Sequence, residues 1–263
     1  MKQETFDFLS NLIYRESGIV LPPEKKMLLE NRVQKRLRAL NLRDVSDYLR
    51  IIELDVDGDE LVQLIDVVST NVTYFYREPR HFEIYAKLLK QFQSEKRNEV
   101  KVWCAAASSG QEPYTLAIEA AESLDLGKTR FRLLGTDICT KVLNRALAGH
   151  YHEREVEKIA PDKLQKYFDR QGNDFHVRSK ISDLVLFKKL NLIQFPYPLK
   201  GSFDIIFCRN VMIYFDTPTR AKIIAQFEKL LSPGGYLFLS HSENLLGIDH
   251  GLQRFDSSVF RKP

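Results

Sequence analysis

The chain has 263 residues, 44% of them hydrophobic and 28% charged, the proportions of an ordinary globular protein of one or two domains. No apolar run approaches the ~18 residues that a membrane span needs, the start MKQETFDFLSN lacks the apolar stretch of a secretory signal, and Cys104, Cys139 and Cys208 are widely spaced without a CxxC pair. Together these features argue against an integral membrane protein and a disulfide scaffold, and reduced thiols in a cytoplasm are expected. The net charge of +4 is too small to imply nucleic acid by itself. It is also unevenly spread: from Lys25 to Arg43 seven basic residues stand against the single acid Glu30. An acidic partner for that patch is the first functional hint.

The first 70 residues read as an all-helical domain. Phe6, Leu9 and Ile13 are spaced three and four apart, with Gly18 as a stop. Pro22 and Pro23 precede a basic helix over 24–40, whose apolar stripe is Leu29, Val33, Leu37 and Leu40. Asp44 or Ser46 can cap a third helix through Ile52. Asp57-Gly58 reads as a turn, and Leu61, Leu64, Ile65 and Val68 mark a fourth helix. Residues 71–98 read as a linker and the first helix of the next domain, which runs over 99–263.

From there strands and helices alternate. VKVWCAA (100–106), RFRLLGTDI (130–138) and FDIIFCRN (203–210) read as strands. EPYTLAIEAAESL (112–124), KVLNRALAGH (141–150) and TPTRAKIIAQFEKLL (217–231) read as helices. Pro233-Gly234-Gly235 reads as a turn before a last strand, YLFLS (236–240). This rhythm predicts an α/β fold with a doubly wound parallel sheet, whose strand C-termini share one ligand-binding edge. Residues 165–190 break the rhythm and read as an inserted antiparallel β-hairpin around Gly172-Asn173-Asp174.

Three segments belong to that edge. The loop Ala105-Ala106-Ala107-Ser108-Ser109-Gly110-Gln111-Glu112 has small residues that let a ligand approach the backbone, although a plain tight turn would use them too. It is neither GxGxxG nor a lysine-bearing phosphate loop. The second strand ends in Asp137, where an acid either accepts ribose hydroxyls or caps the next helix. A small-residue loop with an acid after the next strand and no phosphate grip points to a nucleoside cofactor without phosphates, with S-adenosylmethionine the first candidate. After the third strand comes Cys208-Arg209-Asn210-Val211-Met212-Ile213-Tyr214-Phe215, which lacks the Asn/Asp-Pro-Pro-Tyr type segment of many amine methyltransferases. A fourth segment, Ser69 to Glu78, joins the two domains, and its Asn71, Thr73 and Arg77 can either pack the interface or fold over the cofactor pocket.

STNVTYFYRE (69–78), AAASSGQEPYTLA (105–117), GTDI (135–138), Asn191-Leu192 and CRNVMIYFD (208–216) together resemble the chemotaxis receptor methyltransferases, the CheR family. The likeness runs in order over nearly the whole chain and includes the basic helix and GHYHERE (149–155). It implies a helical N-terminal domain on a Rossmann-like S-adenosylmethionine methyltransferase domain with a small inserted antiparallel β-subdomain. It implies methyl transfer to receptor glutamates, giving γ-glutamyl methyl esters. Cofactor-binding roles carry over to Asn71, Thr73, Arg77, Ala105, Gly110, Glu112, Asp137, Asn191, Leu192, Arg209 and Asn210, with Arg77 and Tyr214 near the transferred methyl. Arg32, Lys35, Arg36, Arg38 and Arg43 would dock Glu/Gln-rich receptor helices. In some relatives the β-subdomain also tethers a receptor C-terminal pentapeptide, and their hairpin loop is longer; the short Arg170–Asp174 loop argues against a tether here. A monomer recruited to receptor arrays is expected, with S-adenosylhomocysteine as product and no metal or nucleic acid. A nucleic-acid methyltransferase and a non-catalytic cofactor-binding signalling module are the alternatives. The pair His150-x-His152 lacks a third metal ligand, and Ser240-His241-Ser242-Glu243 is not a catalytic triad, because adjacency in sequence is not triad geometry.

Overall fold

The computed structural model describes residues 1–56, 58–69 and 71–263. Asp57, half of the expected turn, and Thr70, at the expected domain boundary, lie outside the described residues. Four helices come first: α1 (Gln3–Ser17), α2 (Lys26–Ala39), α3 (Val45–Leu54) and α4 (Asp59–Val68). The apolar spacing explains their packing. Phe6, Leu9 and Ile13 of α1 meet Leu29, Val33 and Leu37 of α2 in a core closed by Tyr48, Ile52, Leu64 and Val68. Each such side chain contributes about 1.5–3 kcal/mol when fully buried. Asp44 caps α3 by accepting from the Ser46 N–H at 2.7 Å.

Helix α5 (Pro79–Ser94) leads into β1 (Glu99–Cys104), α6 (Gln111–Ser123), β2 (Arg130–Asp137) and α7 (Thr140–Ala148). A small module follows, made of β3 (His150–His152), α8 (Glu153–Val156), α9 (Pro161–Tyr167), β4 (Phe168–Gln171), β5 (Asp174–Val177) and α10 (Ser179–Ser182). The chain then returns through β6 (Val185–Lys189), β7 (Phe203–Phe207), α11 (Thr217–Leu230), β8 (Leu231–Phe238), β9 (Gln253–Asp256) and β10 (Val259–Arg261). The large sheet runs β6-β2-β1-β7-β8-β10-β9, and the small one β3-β5-β4. Strands β6, β2, β1, β7 and β8 are parallel, whereas β10 runs antiparallel to both of its neighbours, β8 and β9.

Side-chain alternation splits the sheet into two cores. Val100, Val102 and Cys104 of β1 join Ile205 and Phe207 of β7 and Phe238 of β8 against α5 and α6. Trp103, Ile206 and Leu237 face the other way, against Ile223, Ile224 and Phe227 of α11. The chain winds from β1 to β2 on one side and later from β6 to β7 on the other. The reversal of strand order falls between β1 and β7, where open α/β sheets form a ligand crevice.

Four expectations need correction. The segment 141–150 does not stay helical to its end: α7 stops at Ala148 because Gly149 takes φ 58°, and the next residues pair with β5. The hairpin expected over 165–190 is part of a three-stranded sheet that recruits His150–His152, while Val185–Lys189 pairs with β2 in the large sheet. Pro233-Gly234-Gly235 is no turn before a strand but an irregularity within β8. The sheet is mixed, because the antiparallel pair β9 and β10 closes its far edge. Short strands in loop-rich stretches have little apolar alternation to reveal them.

Candidate cofactor and active site

The loops after β1, β2, β6 and β7 face residues from Ser17 to Leu28 and the end of α4 in the helical domain, together with Ser69 and residues 71–77 of the linker, and these parts enclose a cleft. The domains are held there by direct contacts. The Val20 N–H donates to the Tyr214 carbonyl at 2.9 Å, Asn191 Nδ2 donates to the Glu16 carbonyl at 2.7 Å, and Tyr14 Oη donates to Asp216 Oδ2 at 2.7 Å. Asn71, Thr73, Arg77, Ala105, Glu112, Asp137, Asn191, Leu192, Arg209, Asn210 and Tyr214 all line this one cleft, although they span more than half of the sequence.

Gly110 is the exception. It does not line the wall but turns the chain into α6 at φ 95°. A Cβ there would stand 2.6 Å from Tyr151 Oη and 3.0 Å from Ala146 Cβ. Its role is to let the small module pack close behind the loop.

Asp137 serves both of the roles open to it in the sequence. It lines the cleft, and its Oδ2 accepts from the Ser108 N–H at 2.8 Å while Oδ1 accepts from the Cys139 N–H at 3.0 Å. Burial pushes its carboxyl above the usual range, against the pull of those two N–H donors. The carboxylate therefore joins the loops after β1 and β2 and presents to the cleft an acid that further donors would stabilise.

The wall itself carries a charged cluster, in which Glu112 and Arg209 line the cleft and Glu78 lies behind them. Arg209, with a side chain 1% exposed, places Nη1 2.5 Å from Glu112 Oε2 and Nη2 3.2 Å from Glu78 Oε2, and it also donates to the Arg77 carbonyl. Glu112 Oε1 accepts from the Cys104 thiol at 3.3 Å. Burial pushes Glu78 up, but the charge and hydrogen bond of Arg209, together with the His241 N–H and Asn210, outweigh it and hold the carboxyl below its ordinary value. Next to it, burial and the Arg209 charge push His81 down to about 4. Burial also drives the thiols of Cys104 and Cys208 well up, so both are inert packing groups.

Glu243, set aside in the sequence as part of a false triad, clamps the loop after β7. Its Oε2 accepts from the Asn210 and Ser240 N–H groups at 3.1 and 2.8 Å, and its Oε1 from the Met212 N–H at 2.8 Å. This holds Asn210 at φ 60° and starts the turn Met212–Tyr214 that aims Tyr214 at the cleft. Other wall residues were not assigned to the cleft from sequence: Ser17, Val20, Leu28 and Lys25, the last read only as part of the basic patch, come from the helical domain, and domain packing brings them in. Glu78 lay inside a quoted motif but carried no spacing signal of its own.

The wall suits a nucleoside without phosphates. Asp137 and Glu112 offer acceptors for hydroxyl and amino donors, Ile138, Leu190 and Leu192 supply apolar surface, and the loop after β1 carries no lysine to grip a phosphate.

Of the basic residues on and after α2, Lys35, Arg38 and Arg43 are exposed and Arg32 is half-buried. Arg36 turns inward: its Nε and Nη2 meet the two oxygens of Glu60 at 2.8 and 2.6 Å, and Tyr48 Oη donates to the same carboxylate at 2.8 Å. It is a domain-internal ion pair and leaves the docking set. His152 Nδ1 accepts from the Arg154 N–H as a helix cap, and His150 stacks on His176. In the small module, β4 and β5 are joined by the two residues Gly172 and Asn173.

Two family models match the chain: "CheR methyltransferase, all-alpha domain" over residues 4–69 and "CheR methyltransferase, SAM binding domain" over residues 71–260. The chemotaxis protein methyltransferase of Salmonella typhimurium is 41% identical over 244 residues, covering 91% of this chain and 83% of its own length. That of Borreliella burgdorferi is 37% identical over 254 residues, covering 92% and 90%. A solved magnesium protoporphyrin IX methyltransferase from Synechocystis is 16% identical, covers 74% of this chain and 71% of its own, and has a TM-score of 0.34. Matched along both of its domains, with an S-adenosylmethionine methyltransferase fold behind a helical one, the chain belongs to the CheR methyltransferase family.

Proposed function

We propose that this chain transfers methyl from S-adenosylmethionine to glutamate side chains of methyl-accepting chemotaxis receptors, forming γ-glutamyl methyl esters. Membership of a family of S-adenosylmethionine methyltransferases and the printed names of the chemotaxis relatives support the general activity. One observation carries the choice of acceptor. Arg77 and Lys25 line the cleft from the linker and the helical domain, and neither pairs with a carboxylate among the described residues. Arg77 Nη1 is held only by the Val72 carbonyl, at 2.8 Å. Two unpaired cations beside a cofactor cleft suit a carboxylate acceptor and repel an ammonium one.

When bound, the cofactor supplies an electrophilic methyl group on a sulfonium. Asp137 would take its ribose hydroxyls, Glu112, Ala105, Asn71 and Thr73 would line its remainder, and Asn191, Leu192, Arg209 and Asn210 would complete the wall. A glutamate with an ordinary pKa of ~4.3 is already ionised at neutral pH, so the site needs no strong base. Its work is alignment and exclusion of water: Arg77 orients the acceptor carboxylate, and the Tyr214 ring borders the point of transfer. Lys35, Arg38, Arg43 and the edge of Arg32 would dock acidic receptor helices by charge. With a two-residue turn between β4 and β5, the small module works without a pentapeptide tether, and the enzyme acts as a cytoplasmic monomer recruited to receptor arrays.

The test is labelled methyl transfer to receptor-containing membranes, with RNA as a parallel acceptor. Volatile methanol released by base is expected from the receptor product. A base-stable product, or transfer to RNA alone, refutes the reading. Arg77→Ala and Tyr214→Phe should each lower turnover, and wild-type rates in both remove these residues from the mechanism. Micromolar binding of a receptor C-terminal pentapeptide would overturn tether-free action.

A further inference from the structure

Behind the cleft wall, Glu78, His81 and His241 place one carboxylate and two imidazoles so that a ligand atom of each lies within 4.8 Å of the others. Glu78 precedes α5 and His81 lies in its first turn, while His241 sits on the turn after β8. Glu78 Oε2 is 3.4 Å from His81 Nδ1 and 3.6 Å from His241 Nε2. Ligands around a tetrahedral ion at about 2.0–2.1 Å stand roughly 3.3 Å apart, so two edges of such a site are nearly formed.

The independent sign of a ligand is His81. Its side chain is 1% exposed, and its Nδ1 has no hydrogen-bond partner although it faces a carboxylate oxygen. A buried polar atom left in that state calls for a reason. Its other nitrogen, Nε2, lies 2.7 Å from Ser258 Oγ. That is the outer-shell contact that fixes the ring of a metal-bound histidine. His241 is half exposed and gives the site an entrance.

We propose that Glu78, His81 and His241 form a three-ligand site for a divalent transition-metal ion of the zinc and cobalt class, with its open position toward solvent. One carboxylate with two imidazoles is a donor set suited to these ions. The remaining polar contacts of Glu78 are the Asn210 Nδ2 group at 3.4 Å on Oε1, and the His241 N–H and Arg209 Nη2, each at 3.2 Å, on Oε2. The nearby guanidinium is offset by Glu112, so the group of two carboxylates and one arginine keeps a net negative charge. An ion on Oε2 competes with Arg209 and leaves that arginine to Glu112. The site is thereby linked to the cofactor wall.

The test is titration of the full chain with Co²⁺, followed by visible absorption and by equilibrium dialysis, with circular dichroism as a check of fold. One ion per chain is expected. His241→Ala, at a half-exposed position, should weaken binding about tenfold or more while the fold is kept. His150→Ala should change nothing; it disrupts the other histidine–carboxylate pair, His150–Asp174. Absence of binding at millimolar cobalt, an affinity unchanged in His241→Ala, or binding lost in His150→Ala would each overturn the site.

Discussion

Arg209→Met tests the charged cluster on the cleft wall. Methionine keeps much of the volume and removes the charge, leaving Glu112 and Glu78 without their shared partner. Their side chains are 12% and 20% exposed. Removing one member of a buried pair costs about 3–5 kcal/mol, and the partial exposure of both carboxylates places the loss near the lower end, about 3 kcal/mol. For a chain of this size that corresponds to a fall in Tm of roughly 6–12 °C. The pH dependence identifies the cause. In the native chain the folded pKa of Glu78 lies below its ordinary value, so its contribution is fully present above that value and is lost as pH falls through the folded one. In the variant Glu78 keeps its burial and the contacts from the His241 N–H and Asn210 Nδ2 but loses the guanidinium charge, so its own charge is far less well compensated near neutral pH and protonation relieves it. The deficit should therefore be largest at pH 7 and shrink below pH ~5. Urea unfolding of both proteins in EDTA at the two pH values measures it. A deficit of the same size at both would refute the electrostatic account and leave only packing.

Other consequences are as direct. Asp137→Asn keeps one acceptor and loses the charge, so S-adenosylhomocysteine affinity should fall about tenfold, about 1.4 kcal/mol; an unchanged Kd in calorimetry removes Asp137 from the binding site. Reversing Lys35, Arg38 and Arg43 to Glu should depress receptor methylation and reverse its response to added salt, which would then raise the rate, while cofactor affinity is kept; equal methylation by the reversed and native proteins excludes charge docking by this basic patch. Arg36→Ala should instead lower stability by roughly 2–4 kcal/mol through the stranded Glu60, and its urea midpoint should shift where those of the surface reversals do not. Gly110→Ala meets both φ 95° and the Tyr151 hydroxyl, so it should cost at least about 2 kcal/mol; a wild-type melting curve would show that the small module can retreat from the loop.

Local patterns carry much of this protein. The stripe Leu29, Val33, Leu37 is a helix face whatever it packs against, and the alternation in β1 and β7 decides which side chains enter each core. The small-residue loop and Asp137 point to a nucleoside site from sequence because their chemistry is local to two strand ends. Arg36 and Lys35 are adjacent and chemically alike, yet one is committed to Glu60 and the other is exposed. Nothing in the pattern of basic residues separates them, because the partner belongs to another helix. Likewise Glu243 and Glu78 hold the loop after β7 and Arg209 from distant points of the chain, and strand β6 is assigned by its partner β2 and not by its own residues. Sequence by itself determined the helix faces and the alternation of strands with helices, and it pointed to the kind of ligand, since these follow from side-chain period and from loops at strand ends. Only the tertiary structure decided which charges are paired inside and which face a partner, since pairing depends on which elements the fold brings together.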